Sequence, residues 1–115
     1  MREILFRGKR TDNSEWVEGL LWKKKYNTQK LFISCFPDKD DNEEVFVIYP
    51  ETIGQYTGLL DKNGKKIFEN GYFVIDEQTY KVVFDNAQYI LTNIFSCDII
   101  LLKDNSNKGV FIDEI

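Results

Sequence analysis

The chain contains no histidine. That removes the commonest general base near neutral pH, any Ser-His-Asp triad or Cys-His pair, and every zinc site that needs an imidazole. Only two cysteines occur, Cys35 and Cys97, and structural zinc wants four ligands. The opening Met1-Arg2-Glu3-Ile4-Leu5-Phe6-Arg7 has no long apolar h-region, so no signal peptide is expected and both thiols are expected to be reduced and in the core. Proline is equally scarce. Pro37 and Pro50 bracket the one strongly acidic loop, Asp38 to Glu44. No apolar run approaches the ~20 residues that span a bilayer. A cytoplasmic protein without membrane contact is expected.

What remains is an ordinary globular composition. The 115 residues suit one domain, 1–115, long enough to bury a core without metals or disulfides. Aromatics reach 15%, and such side chains favour pleated, half-buried surfaces. The net charge of −4 conceals an asymmetry: residues 1–30 carry eight Lys/Arg against four acids, the remainder seven against fifteen. A nucleic-acid binder would have to concentrate its positive charge in that first segment.

Short apolar runs between turn residues dominate, the pattern of an all-β domain. Strands are predicted near Glu3–Arg7, Glu15–Trp22, Lys30–Phe36, Glu44–Tyr49, Tyr72–Asp76 and Tyr80–Asp85. Within the second, Trp16, Glu18, Leu20 and Trp22 share one side. Tyr80, Val82 and Phe84 are expected to point inward. Asn63-Gly64 in Asp61-Lys62-Asn63-Gly64-Lys65-Lys66 predicts a type I′ turn joining Leu59–Lys62 to Lys65–Phe68. Ala87–Leu102 fits either a helix or two strands; its middling helix formers favour strands at Tyr89–Ile94 and Asp98–Lys103. Ile99-Ile100-Leu101-Leu102 is continuous, which predicts cover on both faces. Pro50-Glu51-Thr52 suits a short helical turn within Pro50–Gln55. The expected architecture is a small all-β, barrel-like domain of eight or nine short, mostly antiparallel strands.

Chemical motifs are few. Asp38, Asp40, Asp41, Glu43 and Glu44 supply oxygen ligands, but a calcium loop begun at Asp38 puts Glu43 where glycine belongs and Tyr49 where glutamate belongs. Begun at Asp61, the same template ends on Tyr72. The glycines at 54, 58, 64 and 71 match neither a dinucleotide fingerprint nor a P-loop. No metal and no cofactor are expected. Basic residues among aromatics bind single strands by stacking over a charged groove, and Trp16, Trp22, Lys23, Lys24, Lys25 and Tyr26 form the best such set. The plainer reading puts the tryptophans in the core and the lysines at a strand end.

Two blocks carry a resemblance. Met1-Arg2-Glu3-Ile4, Phe6-Arg7-Gly8-Lys9-Arg10 and Asp12-Asn13-Ser14-Glu15-Trp16-Val17-Glu18-Gly19 resemble the opening of YopX-like proteins of bacteriophages and prophages. Pro50-Glu51-Thr52-Ile53-Gly54-Gln55-Tyr56-Thr57-Gly58-Leu59 with Asp61-Lys62-Asn63-Gly64-Lys65 resembles that family's central signature. Tyr72 follows Gly71 where the family usually has aspartate, so no role of that aspartate transfers. The resemblance implies a mostly β, barrel-like, self-associating phage domain, and no reaction. The resulting expectation is a non-enzymatic binding or assembly module, with phage or host proteins or a second copy as partners. The alternatives are nucleic-acid binding through Trp16–Tyr26 and a carboxylate-dependent, Mg²⁺-requiring enzyme.

Overall fold

A computed structural model of the chain describes residues 4–22, 31–35 and 44–114, with the side chains of Trp22 and Cys35 excepted. It divides into two units, Met1–Gln55 and Tyr56–Ile115. Both are built from antiparallel strands.

The first unit holds β1 (Phe6–Lys9), β2 (Trp16–Trp22), β3 (Leu31–Cys35) and β4 (Glu44–Ile48), ordered β4-β3-β2-β1. Gly54 and Gln55, which begin β5 (Gly54–Leu60), add to β1 opposite Arg7 and Phe6. The expected alternation in β2 is present: the register sets Trp16 opposite Lys9, Glu18 opposite Arg7 and Leu20 opposite Ser34. The other face carries Ile33 and Ile48, both fully buried. Gly19 is needed for close approach, because a Cβ there would run into the main-chain oxygen of Ser34. The Thr11–Ser14 turn is closed by Arg10 N–H on Glu15 O (2.9 Å), and Asn13 Oδ1 accepts Glu15 N–H at 3.0 Å. Short polar side chains compete well for main-chain groups in such turns.

In the second unit, the rest of β5 pairs with β6 (Lys66–Phe68). Then β7 (Tyr72–Ile75), β8 (Gln78–Asp85), β9 (Gln88–Asn93), β10 (Ile99–Leu101) and β11 (Val110–Ile112) form a sheet ordered β10-β9-β8-β7-β11. The helix α1 (Leu102–Asn105) and a 3-10 turn at Ser106–Lys108 lead into β11. One face gathers Phe73, Val82, Leu91 and Phe111, all at most 1% exposed. Phe68 reaches that face, its ring centroid 6.4 Å from Phe111, and Tyr56 stands 5.6 Å from Phe68. Leu102 is fully buried.

Neither sheet closes into a barrel. The end of β1 is tied to β4 by a single bridge, Arg10 with Ile48, flanked by Thr11 N–H on Val47 O and Tyr49 N–H on Lys9 O. Closure needs tilt and stagger matched along every strand, and β6, β10 and β11 are three residues each. The described residues contain eleven strands, more than the eight or nine expected. The helical turn near Pro50 is a 3-10 turn over Pro50–Thr52. Ala87–Leu102 resolves into β9 and β10, as the strand reading expected.

Four expectations need correction. Asn63-Gly64 does not form a type I′ turn: only Gly64 has positive φ (81°), and Asn63 does not. Gly64 N–H bonds Asp61 O and Asp61 N–H bonds Lys65 O, a three-residue loop of a type I turn followed by a left-handed glycine bulge. The type I′ geometry occurs elsewhere. Asp76-Glu77 and Asn86-Ala87 have positive φ at both residues (47° and 68°, 50° and 63°), as two-residue hairpins of matching twist require. Phe84 is 49% exposed rather than inward, because it lies at the hairpin end and packs edge-on against Tyr89 at 4.9 Å. The Ile99–Leu102 run is not covered throughout: Ile99 is 62% exposed while Leu102 is buried, because the strand ends and α1 turns Leu102 inward. Cys97 is an exposed free thiol and not a core residue.

Two substitutions test this frame. An L-residue pays roughly 1–2 kcal/mol in the left-handed region, partly offset by glycine's greater unfolded entropy. Ala87→Gly should therefore stabilise by about 0.5–1 kcal/mol. Gly19→Ala should cost about 1–3 kcal/mol, because the neighbour that must give way is main chain. Thermal melts of the two variants should move in opposite directions.

Candidate functional site

Among the described residues, Arg7, Lys9 and Arg10 each lie over an aromatic ring. Arg7 is 3% exposed, and its guanidinium carbon lies 4.0 Å from the centroid of the Trp16 ring. Lys9 Nζ stands 5.8 Å from the same ring. Trp16 is half-buried, so this face is a cation–π column. Arg10 lies over Phe46 at 4.1 Å and grips Asp12 with two hydrogen bonds, Nε to Oδ1 at 2.9 Å and Nη2 to Oδ2 at 2.6 Å. The hydrogen bond from Arg10 holds the Asp12 carboxyl below its ordinary value, and Asp12 in turn raises Arg10. Trp22 ends β2, with its side chain outside the described residues; Lys23, Lys24, Lys25 and Tyr26 lie outside them entirely. So do Asp38, Asp40, Asp41 and Glu43 of the acidic loop. Among the described residues no group of three or more Cys, Asp or Glu is placed to hold a metal ion.

The glycine-rich central block is occupied by its own backbone. Thr52 Oγ1 donates to Tyr49 O at 2.6 Å and accepts Lys9 N–H at 2.8 Å, fixing the Pro50 turn to the end of β1. Thr57, 4% exposed, donates its hydroxyl to Ile67 O at 2.8 Å and accepts Leu59 N–H at 3.3 Å. It does so beside Gly58 (φ 87°), where the β5–β6 register shifts.

Asp61 is the most demanding residue of the block. It is 5% exposed. Its Oδ1 accepts Asn63 N–H at 2.8 Å and Lys65 N–H at 2.9 Å, and its Oδ2 accepts Phe111 N–H at 2.8 Å. Lys62 N–H donates to Gly109 O at 3.1 Å. The register places Val110 and Ile112 toward β7, so the outward groups of β11 belong to Gly109 and Phe111. The turn therefore lies along the edge of β11 away from β7 and bonds Gly109 O and Phe111 N–H there. Burial pushes the Asp61 carboxyl up, but the N–H donors of Phe111, Lys65 and Asn63 and the charge of Lys65 outweigh it and hold the carboxyl below its usual value. A carboxylate with both oxygens so engaged is a structural clamp.

A second buried polar residue shapes the β9–β10 loop. Asn93, 4% exposed, donates from Nδ2 to Gln78 Oε1 at 3.0 Å and accepts Phe95 N–H and Ser96 N–H on Oδ1 at 2.9 and 3.1 Å. Cys97 N–H bonds Asn93 O at 2.9 Å, with Cys97 at φ 64°. This pinned loop presents Phe95 at 86% exposure and leads to Ile99 at 62%. Asn93 N–H bonds Asp98 O, so the main-chain groups of Ile99 point away from β9, at a sheet edge that no other strand of the described residues covers. Sequence reasoning missed both side chains as surface residues. The available signal was the polar cluster Asn93, Ser96 and Asp98 around Phe95, a turn composition.

The fold and these sites define a small all-β protein of open antiparallel sheets whose polar signature residues serve its main chain. The sequence model of the family described as YopX protein matches residues 5–110, and the chain belongs to that family. No curated protein matches the sequence.

The clamp predicts a measurable pH dependence. Because the folded carboxyl binds its proton more weakly than the unfolded one, Asp61 stabilises the fold fully above the unfolded value of ~3.9. That stability is lost as pH falls through the lowered folded value. Asp61→Asn replaces an acceptor with a donor at Phe111 or at the turn and should cost about 2–4 kcal/mol near neutral pH. Urea titrations should show the gap between wild type and variant narrowing as the pH drops below ~3.9.

Proposed function

We propose that this chain is a non-enzymatic binding or assembly module that works in a bacterial cytoplasm as part of a phage or prophage. Its partner is a second copy of itself, bound through the β9–β10 end of the second unit. The observation that carries the reading is Phe95, 86% exposed on a loop whose conformation is fixed by Asn93. A rigid aromatic anchor costs little ordering entropy on binding, and such anchors dominate interface energies. Ile99 at 62% exposure and the open edge of β10 supply apolar area and main-chain hydrogen bonds beside it. The phage setting comes from the resemblance of the N-terminal and central blocks. The non-enzymatic reading is supported by the signature itself, where Thr52, Thr57 and Asp61 are spent on backbone groups.

Light scattering at high micromolar concentration should give an assembly, which Phe95→Ser with Ile99→Ser reduces to monomers while the melting temperature changes little. In a Cys35→Ser background, a short bismaleimide should join two copies through Cys97. A wild-type monomer with no Cys97 cross-link rejects self-assembly. Single-stranded DNA bound at low salt and lost when Lys23, Lys24 and Lys25 become glutamate would establish the nucleic-acid reading in its place.

A further inference from the structure

We infer that Asn63-Gly64 is a self-modifying site, where the asparagine amide converts to aspartate and isoaspartate without an enzyme at a rate set by Asp61. The reaction needs only water. The main-chain nitrogen of the following residue attacks Cγ of the asparagine, the Cγ–N bond of the side-chain amide breaks, and ammonia leaves carrying the proton shed by the attacking nitrogen. The succinimide ring so formed takes up one water and opens on either side. Nothing is oxidised or reduced. Glycine in the following position obstructs the attack least, having no Cβ.

The sequence has two such pairs, and the fold holds them differently. Asn70 N–H bonds Val82 O at 2.9 Å, and Gly71 O accepts Val82 N–H at 2.9 Å. Gly71 is buried. The peptide groups on both sides of the reacting one belong to the continuation of the β7–β8 ladder, and Gly71 N–H itself donates to Phe68 O at 3.4 Å, so reaction waits for the sheet to open. Asn63 and Gly64 are exposed at a hairpin tip, and a Cβ built on Gly64 would have no atom within 4 Å. Three hydrogen bonds restrain this pair, and all end on Asp61. Asn63 N–H and Lys65 N–H go to its carboxylate at 2.8 and 2.9 Å, and Gly64 N–H goes to its main-chain oxygen at 3.0 Å. While Gly64 N–H donates to Asp61, its nitrogen is held from attack. Release of one residue's grip frees it.

The product acts back on the clamp. Isoaspartate lengthens the main chain between residues 63 and 64, inside the loop that presents Asp61 to Phe111. Either product adds a carboxylate to a tip carrying Lys62 and Lys65. The cap on β11 is loosened as the protein ages.

Peptide mass mapping of folded protein, aged in mildly alkaline buffer and with isoaspartate resolved chromatographically, tests the inference. Asn63 should convert at least about tenfold faster than Asn70, since local opening is far less costly than opening the sheet. The two rates should converge in urea. Gly64→Ala should suppress conversion at Asn63, and Asp61→Asn should raise it severalfold in samples that remain folded by circular dichroism; Asp61→Ser serves if that variant does not fold. Equal rates at the two pairs in folded protein, or faster conversion at Asn70, overturns the inference. So does an Asn63 that stays intact while the unfolded chain reacts. An Asn63 rate unmoved by loss of the Asp61 carboxylate removes Asp61 from it. The wild-type ratio needs no variant.

Discussion

The Asp61 carboxylate accepts three main-chain N–H groups, two from its own turn and one from Phe111 fifty positions later. A carboxylate taken from water loses its hydration, and that loss is recovered only if its lone pairs find donors of good geometry. Here the donors are backbone amides that would otherwise be orphans: the tip of a hairpin and the outer edge of a three-residue strand. One side chain thus fixes the β5–β6 loop, terminates the second sheet at β11, and brings the Phe68 and Phe111 rings to 6.4 Å.

The two edges of that sheet are treated differently. At β11 the turn supplies an acceptor and a donor in the places a further strand would use. At β10, Asn105 Nδ2 covers Leu101 O at 2.7 Å, while Ile99 stays 62% exposed beside Phe95. Natural sheets blunt exposed edges unless the edge has a use. The asymmetry separates an edge bonded by Asp61 and Lys62 from one where Ile99 stays exposed, and the central glycine-rich block lies on the bonded side. The most distinctive residues of the sequence therefore build the scaffold.

The first unit manages charge in the same economical way. Arg7, 3% exposed, sits face-on to Trp16 at 4.0 Å, and Arg10 is held between Phe46 and Asp12. Guanidinium groups are weakly hydrated and stack on rings, so arginine tolerates such places where lysine would not. A segment that looks basic in composition thus spends part of its charge internally.

Much of the architecture was legible in the residues alone, since it follows from interactions near in sequence. Alternation in Trp16–Trp22, the Pro50 turn and the two strands of the Ala87–Leu102 stretch all arise from side-chain period and local turn chemistry. The lack of histidine likewise settled which catalytic constellations are closed to this chain. Three other features depended on distant contacts. Asn63-Gly64 suited a two-residue turn, yet Asp61, bonded also to Phe111, stabilises the three-residue loop. Ala87 and Glu77 accept positive φ because the strands around them pair, not because their own preferences favour it. Ile99 and Leu102, adjacent in one apolar run, end on the outside and the inside because the ladder stops between them. Periodicity and turn chemistry are local quantities and can be read from a string; sheet edges, and the groups that cap them, exist only once remote segments meet.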